Sequence, residues 1–214
     1  MKELNIVIPA KEPEGAKSRL SEVLSYEQRK ELALSLFSHT VSVLLKIPSK
    51  PHILVVTDSE TIQNISLGYG ISVLREEKAS GETEAALAAA RWSLLDGFKK
   101  QLIIPADIPF ISALEIEKII SYPVPTPGIV LSPAVDDDGT NAILTSPPDV
   151  IPFRFGKKSF DGYKKAAIKY NIPLHVLRLQ GLILDIDTPD DLKKFFNSPD
   201  MHETKTLLGK WKIL

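Results

Sequence analysis

The sequence of 214 residues contains no cysteine. Disulfide bonds, thiolate nucleophiles and cysteine metal ligands are therefore excluded. Histidine is scarce as well, and the four residues, His39, His52, His175 and His202, show no spacing that is typical of metal ligands. The sequence consequently predicts neither a histidine metal centre nor a hydrolase of the Ser-His-Asp type.

The chain also lacks an excess of charge and a long hydrophobic run. Lysine and arginine number 26 against 27 aspartate and glutamate, a net charge of -1, so no overall basic field attracts nucleic acid or an anionic membrane. No apolar stretch approaches the roughly 18 residues of a membrane helix, and residues 1–10 form only a short strand-like run unlike a signal peptide. We expect a cytoplasmic protein without nucleic-acid or membrane partners.

Apolar runs alternate with helical patterns along the chain, and 43% of the residues are hydrophobic, enough for a large core. Strands are predicted at 4–9, 53–57, 102–105 and 129–132. Helices are predicted at 26–45, 83–98, 113–121, 159–170 and 189–196. The alternation predicts an α/β fold of three layers, a mostly parallel sheet with helices on both faces.

This fold is expected to be a single domain over 1–214, with its core at 4–196. The tail at 197–214 contains Trp211 and alternating apolar residues, and it could pack on its own core or on a partner, so a homodimer stays possible. Ligands of such sheets bind beyond the carboxyl ends of the strands, where we expect the functional site.

A cluster of cations follows the first predicted strand. Lys11 ends the motif I-P-A-K, and Lys17 and Arg19 lie in A-K-S-R-L. Arginine can make bidentate contacts with phosphate and lysine acts as a point charge, so the three residues suit a triphosphate. A solvated basic loop is the alternative, and the segment is neither a Walker P-loop nor a G-x-G-x-x-G fingerprint.

Three aspartates follow apolar runs elsewhere. Asp107 comes directly after the strand in I-I-P-A-D-I-P-F, and Asp185 and Asp187 are two residues apart in L-D-I-D-T-P-D-D-L. Magnesium takes one or two protein carboxylates together with phosphate oxygens, so these residues are candidate Mg²⁺ ligands. Helix capping is the alternative for Asp107 and Asp187, although Thr188 before Pro189 is itself a good cap.

Two further segments offer neutral or anion-binding groups. Thr140 and Asn141 follow an acidic turn, which could instead be an ordinary hairpin turn. In F-R-F-G-K-K-S-F, Gly156 allows a ligand close to the backbone, and Ser159 is expected to cap the next helix and form an anion site there. Gly81, in a loop before a helix, suits contact with a nucleotide base or ribose.

Six motifs occur in an order that resembles the 2-phospho-L-lactate guanylyltransferases, which make the precursor of the deazaflavin coenzyme F-420. The motifs are I-P-A-K, A-K-S-R-L, P-A-D-I-P, G-T-N-A-I-L, F-G-K-K-S-F and D-I-D-T-P-D-D-L. The resemblance implies a GT-A-like fold similar to molybdenum-cofactor guanylyltransferases. It also implies transfer of GMP from GTP to 2-phospholactate, phosphoenolpyruvate or a related three-carbon phospho-acid, and it does not select among these.

The resemblance assigns roles that agree with the residue chemistry. GTP would be held by Lys17, Arg19 and the loop of Gly81, with Lys11 nearby, and magnesium by Asp107 with Asp185 or Asp187. The acceptor's phosphate and carboxylate would be bound by Thr140, Gly156 and Ser159, with Asn141 as a neighbouring contact.

The sequence departs from the family at two places. The base loop usually reads G-L-N, whereas here Glu82 and Thr83 follow Gly81, and the family's histidine after the S-F motif is replaced near Tyr163. Two other functions therefore stay open. One is a nucleotidyltransferase for a sugar phosphate or molybdopterin, and the other is a catalytically silent nucleotide-binding subunit.

Overall fold

The fold is known from a computed structural model that describes residues 2–78, 81–135, 138–199 and 203–211. Asp136 and Asp137 of the acidic turn, and His202 of the tail, lie outside the described residues. Seven strands form one sheet in the order β3-β2-β1-β4-β6-β5-β7. They are β1 (Lys2–Pro9), β2 (His52–Thr57), β3 (Ser72–Arg75), β4 (Phe98–Ile103), β5 (Gly128–Pro133), β6 (Thr140–Ser146) and β7 (Leu174–Val176).

The sheet is mostly parallel, as predicted. β1 pairs in parallel with β2 and β4, β2 with β3, and β5 with β7, whereas β6 runs antiparallel to both β4 and β5. The carboxyl ends of β1, β2 and β4 therefore meet at one edge of the sheet. Loops that leave these three strands are brought together there.

Helices cover both faces of the sheet. They are α1 (Tyr26–Leu44), α2 (Glu60–Gly68), α3 (Glu82–Leu95), α4 (Ala113–Ile120), α5 (Ser159–Tyr170), α6 (Pro189–Asn197) and α7 (Glu203–Trp211). Because side chains alternate across a strand, Ile6 and Ile8 of β1 pack with α1, α2 and α4, and Val7 packs with α3 and α5. The predicted three-layer architecture is confirmed.

Local chemistry explains where the helices begin. Ser25 caps α1 through a full capping box with Gln28, and Thr188 caps α6 through a capping box with Asp191. Thr188, and not Asp187, is thus the cap of α6. The expectation that Ser159 caps α5 is wrong, since the cap position is Lys158 and Ser159 is the first helical residue.

One other boundary differs from the prediction. The helix predicted at 83–98 ends at Leu95, because Gly97 adopts a φ of 83° that an α-helix cannot continue, and Phe98 already begins β4. Thr140 and Asn141 follow a turn, as predicted, and are the first residues of β6, whose antiparallel pairing with β5 agrees with the hairpin alternative. The antiparallel return of β6 is what brings them beside β5.

The tail packs on the chain's own core. Leu208 of α7 is buried in a cluster with Leu32 and Leu36 of α1, and the hydroxyl groups of Ser35 and Thr204 are hydrogen-bonded at 2.7 Å. Among the described residues, no helix is long and apolar enough to cross a membrane.

Candidate nucleotidyltransferase site

A cavity of about 350 Å³ opens at the edge where β1, β2 and β4 end. Its walls come from the segment after β1, the start of α3 and the segment after β4. Six of the predicted site residues line it, namely Lys11, Lys17, Arg19, Gly81, Asp107 and Asp187. Residues that are distant in the sequence, such as Arg19 and Asp187, which are 168 positions apart, thus meet where the fold class predicts a ligand.

Lys17 is the central cation of this cavity. Its side chain is only 6% exposed, and its ammonium group forms an ion pair with Asp107 and lies 3.9 Å from Oδ1 of Asp187. The residue adopts a left-handed backbone conformation, with a φ of 56°. Such strain in a residue other than glycine persists only where the surroundings fix it, which is common at ligand sites.

Arg19 and Lys11 supply the other two cations. Nη1 of Arg19 donates to Oδ2 of Asp187 at 2.7 Å, yet the arginine side chain is 62% exposed and most of its guanidinium faces solvent. Lys11 is exposed at the cavity wall. Both side chains can contact an entering anion without first breaking a buried interaction.

The aspartate segment at 180–187 is hydrogen-bonded to the rest of the site along its length. The amide of Gly181 donates to Oε2 of Glu115 at 2.9 Å, and Nδ2 of Asn141 donates to the carbonyl oxygen of Leu182 at 2.7 Å. The amide of Ile186 donates to the carbonyl oxygen of Asp107 at 3.2 Å. Asp185 and Asp187 are thereby fixed next to Asp107.

Asp185 differs from Asp107 and Asp187 in forming no ion pair among the described residues, although the charge of Lys17 acts on its carboxyl group. Burial raises the pKa of its carboxyl group, and the charge of Asp107 raises it further. Asp107 and Asp187, in contrast, are ion-paired with Lys17 and Arg19. A divalent cation would reduce the electrostatic repulsion between the carboxylates of Asp107 and Asp185.

The carboxylate oxygens of Asp107, Asp185 and Asp187 are suitable ligands for magnesium. All three side chains offer the hard oxygen ligands that Mg²⁺ prefers, and one or two of them suffice when phosphate oxygens complete the coordination. Within the described residues, no group of three or more acidic, histidine or cysteine side chains could hold a metal by itself. A divalent cation bound here would therefore need further ligands, such as the phosphate oxygens of a substrate.

Glu82 is a site residue that the sequence indicated only as a departure from a family motif. It is the first residue of α3, directly after Gly81, whose φ of 93° turns the chain into the cavity. Burial, followed by the charge of Asp107, raises the pKa of Glu82 to about 8. An acidic residue in the first turn of a helix is usually assigned to the helix dipole, so sequence alone gives no stronger signal.

The four residues predicted to bind the acceptor do not line this cavity. Thr140 and Ser159 are buried, and the hydroxyl of Ser159 donates to that of Thr140 at 3.2 Å. Asn141 is buried with its amide on Leu182. Gly156 is exposed in the loop before α5, with a φ of 85°.

The two halves of the site are nevertheless joined. The amide of Phe155, next to Gly156, donates to Oγ1 of Thr83 at 3.3 Å, so the loop before α5 contacts the start of α3. The hydroxyl of Tyr163 accepts from the amide of Arg154 at 2.9 Å. The start of α3 therefore contributes Glu82 to the cation-lined cavity and contacts the loop that carries Gly156.

Comparison with known proteins agrees with this architecture. A protein of Colwellia psychrerythraea named 3-phospho-D-glycerate guanylyltransferase is 45% identical over 205 residues, which cover 95% of this chain and 97% of that protein. A phosphoenolpyruvate guanylyltransferase of Sphaerobacter thermophilus is 35% identical over 189 residues, covering 88% and 90% of the two chains.

Solved structures show the same fold. A crystal structure from Desulfovibrio desulfuricans, described as a candidate nucleotide-diphospho-sugar transferase, superposes with a TM-score of 0.79 at 18% identity, covering 98% of this chain and 95% of that one. The family described as "Guanylyl transferase CofC like" matches residues 4–213. The chain therefore belongs to this guanylyltransferase family, whose members are nucleotidyltransferases.

Proposed function

We propose that the protein transfers GMP from GTP to a three-carbon phospho-acid and releases pyrophosphate. The observation that carries this proposal is the cavity in which Lys11, Lys17 and Arg19 face Asp107 and Asp187 at the carboxyl edge of the sheet. Cations suit a triphosphate and the carboxylates suit its counter-ion, so one cavity offers both requirements of nucleotidyl transfer.

3-Phosphoglycerate is the acceptor that we favour. The relative of that name is 45% identical, whereas the relative named for phosphoenolpyruvate is 35% identical. We further propose that the product is the precursor of a deazaflavin coenzyme of the F-420 type, in line with the family resemblance of the six motifs.

In the proposed reaction, a phosphate oxygen of the acceptor attacks the α-phosphorus of GTP. A new phosphorus–oxygen bond forms, the bond between the α-phosphorus and the bridging oxygen breaks, and pyrophosphate leaves with the bonding electrons. The acceptor is already anionic, so no protein base is required, and catalysis comes from positioning and from stabilisation of charge.

The cations have distinct parts in this scheme. Arg19 is largely exposed and would contact the triphosphate first. Lys17 is buried against Asp107, so it would exchange part of that contact for phosphate oxygens near the reacting centre. Gly81 would let the base or ribose approach the start of α3.

A magnesium ion would be held by Asp107 together with Asp185 or Asp187. When bound, it would neutralise charge on the phosphate oxygens. Asp185 is the better second ligand, because its carboxyl group forms no ion pair among the described residues, whereas Asp187 is paired with Arg19.

The acceptor is proposed to lie on the side of Gly156, Thr140 and Ser159. Gly156 leaves the backbone accessible, and the pair of buried hydroxyls would shape the floor of that side. Asn141 would act indirectly, since its amide holds the segment that carries Asp185.

The proposal is tested by measuring pyrophosphate release with Mg²⁺, either GTP or ATP, and each of 3-phosphoglycerate, phosphoenolpyruvate, 2-phospholactate and a sugar phosphate. We expect release that requires GTP and a three-carbon acid together, with 3-phosphoglycerate the best acceptor. Release with sugar phosphates alone would replace this function by another nucleotidyl transfer. Binding of GTP without release from any acceptor would indicate a silent subunit.

A further inference from the structure

We infer that Glu82 is the residue that selects the acceptor. Its carboxyl group hydrogen-bonds a hydroxyl group of the three-carbon acid, which makes hydroxylated phospho-acids the preferred acceptor class. This inference rests on the proposed function, because it assigns a contact within the same reaction.

The position of Glu82 places a carboxyl group where the substrates meet. Glu82 lines the cavity together with Lys17 and Asp107. Its neighbour Thr83 accepts a hydrogen bond from the amide of Phe155, which is next to Gly156. Glu82 therefore lies at the junction between the cavity and the loop of the proposed acceptor side.

Glu82 has no partner of its own in the described part of the chain. Neither a hydrogen bond nor an ion pair engages its carboxyl group there, whereas Asp107 and Asp187, two of the three other carboxylates that line the cavity, each contact a cation. The side chain of Glu82 is half-buried, so its carboxyl group is partly withdrawn from water, and a hydrogen bond from a ligand would replace the lost hydration. A substrate group can therefore supply the partner that the protein does not.

The chemistry of the group suits a hydroxyl better than a second anion. A carboxyl group accepts a hydrogen bond from the hydroxyl group of an acceptor, whereas a second phosphate or carboxylate offers it no donor. Phosphoenolpyruvate and 2-phospholactate have no free hydroxyl, whereas 3-phosphoglycerate has one.

The turn that carries Glu82 is also held in place from the acceptor side. Thr83 accepts the hydrogen bond from the amide of Phe155, which fixes the first turn of α3 against the loop of Gly156. An acceptor contact from Glu82 is therefore made by a rigid element. A site that is built to bond a hydroxyl rejects analogues that lack it far more strongly than an apolar pocket rejects an extra group.

The test compares Glu82→Leu and Glu82→Gln with the wild type, using GTP with 3-phosphoglycerate or phosphoenolpyruvate. For Glu82→Leu we expect kcat/KM for 3-phosphoglycerate to fall roughly 10- to 100-fold, which corresponds to the loss of one hydrogen bond to a half-buried carboxyl group. The value for phosphoenolpyruvate and the KM for GTP should stay within about threefold. Glu82→Gln, which keeps a donor and an acceptor, should retain most of the selectivity.

Glu84→Leu and Glu84→Gln are the matched controls, since Glu84 lies in the same helical turn but is exposed. An equal loss with both acceptors in Glu82→Leu would overturn the inference. So would a loss that disappears when 2′-deoxy-GTP or 3′-deoxy-GTP replaces GTP, because the hydroxyl would then belong to the ribose.

The proposed function and this inference fail in different ways. A wild-type protein that releases no pyrophosphate with any acceptor refutes the function. Calorimetric binding of 3-phosphoglycerate and phosphoenolpyruvate, with a non-hydrolysable GTP analogue present, then still decides the role of Glu82. An active wild type whose acceptor selectivity is unchanged by Glu82→Leu refutes the inference alone.

Discussion

The backbone amide of Ile186 donates a 3.2 Å hydrogen bond to the carbonyl oxygen of Asp107. Since Ile186 lies between Asp185 and Asp187, this bond joins the two aspartate motifs of the sequence into one structural unit. The geometry of the proposed magnesium site depends on how the two segments pack, and three predictions address the unit and its cations.

The contact at Gly181 should be the most sensitive packing position of this unit. A Cβ atom there would lie 2.2 Å from Oε2 of Glu115 and 2.4 Å from the carbonyl oxygen of Phe110, and the backbone carbonyl cannot move without shifting the loop after Asp107. We expect Gly181→Ala to destabilise the protein by about 1–3 kcal/mol and to raise the Mg²⁺ concentration for half-maximal activity.

Gly68→Ala is the control for that variant, because nothing lies within 4 Å of a Cβ atom at Gly68. Denaturant unfolding should show little loss for Gly68→Ala, or a gain of up to about 1 kcal/mol. Equal stability and equal Mg²⁺ dependence in the two variants would show that the contact at Gly181 does not position the aspartates.

Asp107→Asn should remove most of the turnover and leave the fold intact. The amide keeps the size of the carboxylate but loses the charge that a divalent cation needs, so we expect a decrease in kcat of roughly 100-fold or more. Thermal unfolding should show only a moderate loss of stability, because Lys17 still faces Asp187. Asp149→Asn, at an exposed position, is the control, and near-normal activity of Asp107→Asn would refute the assignment.

Sequence patterns predicted β1, β2, β4 and β5. These strands are covered on both faces of the sheet, and each therefore contains a continuous apolar run. The patterns did not reveal β3, a short edge strand without a fully buried residue, or β6, which is buried throughout but contains Thr140, Asn141 and Thr145. Those polar residues are accommodated by partners from distant parts of the chain. One example is the carbonyl oxygen of Leu182, which accepts from Asn141.

The location of the candidate site could be predicted from the sequence. Which cation pairs with which carboxylate could not. Motifs that end strands placed Lys17, Asp107 and Asp187 at one edge of the sheet, and the structure confirms that they meet. Which cation faces which carboxylate depends on tertiary packing across 90 residues for Lys17 with Asp107 and 168 for Arg19 with Asp187. Burial of Glu82 is likewise a tertiary property that no local pattern encodes.

Arg19 should affect binding of GTP more than stability. Its ion pair with Asp187 is exposed, and such pairs contribute at most about 1 kcal/mol. We expect Arg19→Ala to raise the KM for GTP about tenfold or more, and Arg19→Lys to recover only part of the affinity, since lysine lacks the planar fork. The exposed Arg91 provides the control variant Arg91→Ala, and an unchanged KM for GTP in Arg19→Ala would place the triphosphate elsewhere.

The raised pKa of Glu82 predicts how stability depends on pH. The carboxyl group has a pKa of about 8 in the folded protein against an ordinary value of 4.5, so the folded state binds more protons than the unfolded state between these values. Stability is therefore highest below pH 4.5 as far as this group is concerned, and it falls as the pH rises through the window to about 8. The slope is at most about 1.4 kcal/mol per pH unit, and less for a group that is only partly buried.

Glu82→Gln removes this titration and leaves the charged neighbours Asp107, Asp185, Lys11 and Lys17 unchanged. Thermal unfolding in EDTA should therefore show a Tm advantage of Glu82→Gln over the wild type that is larger at pH 8 than at pH 5. EDTA is needed because a divalent cation at Asp107 and Asp185 would offset the negative charge that raises the pKa of Glu82. A Tm difference that is the same at both pH values would mean that Glu82 ionises normally in the folded protein.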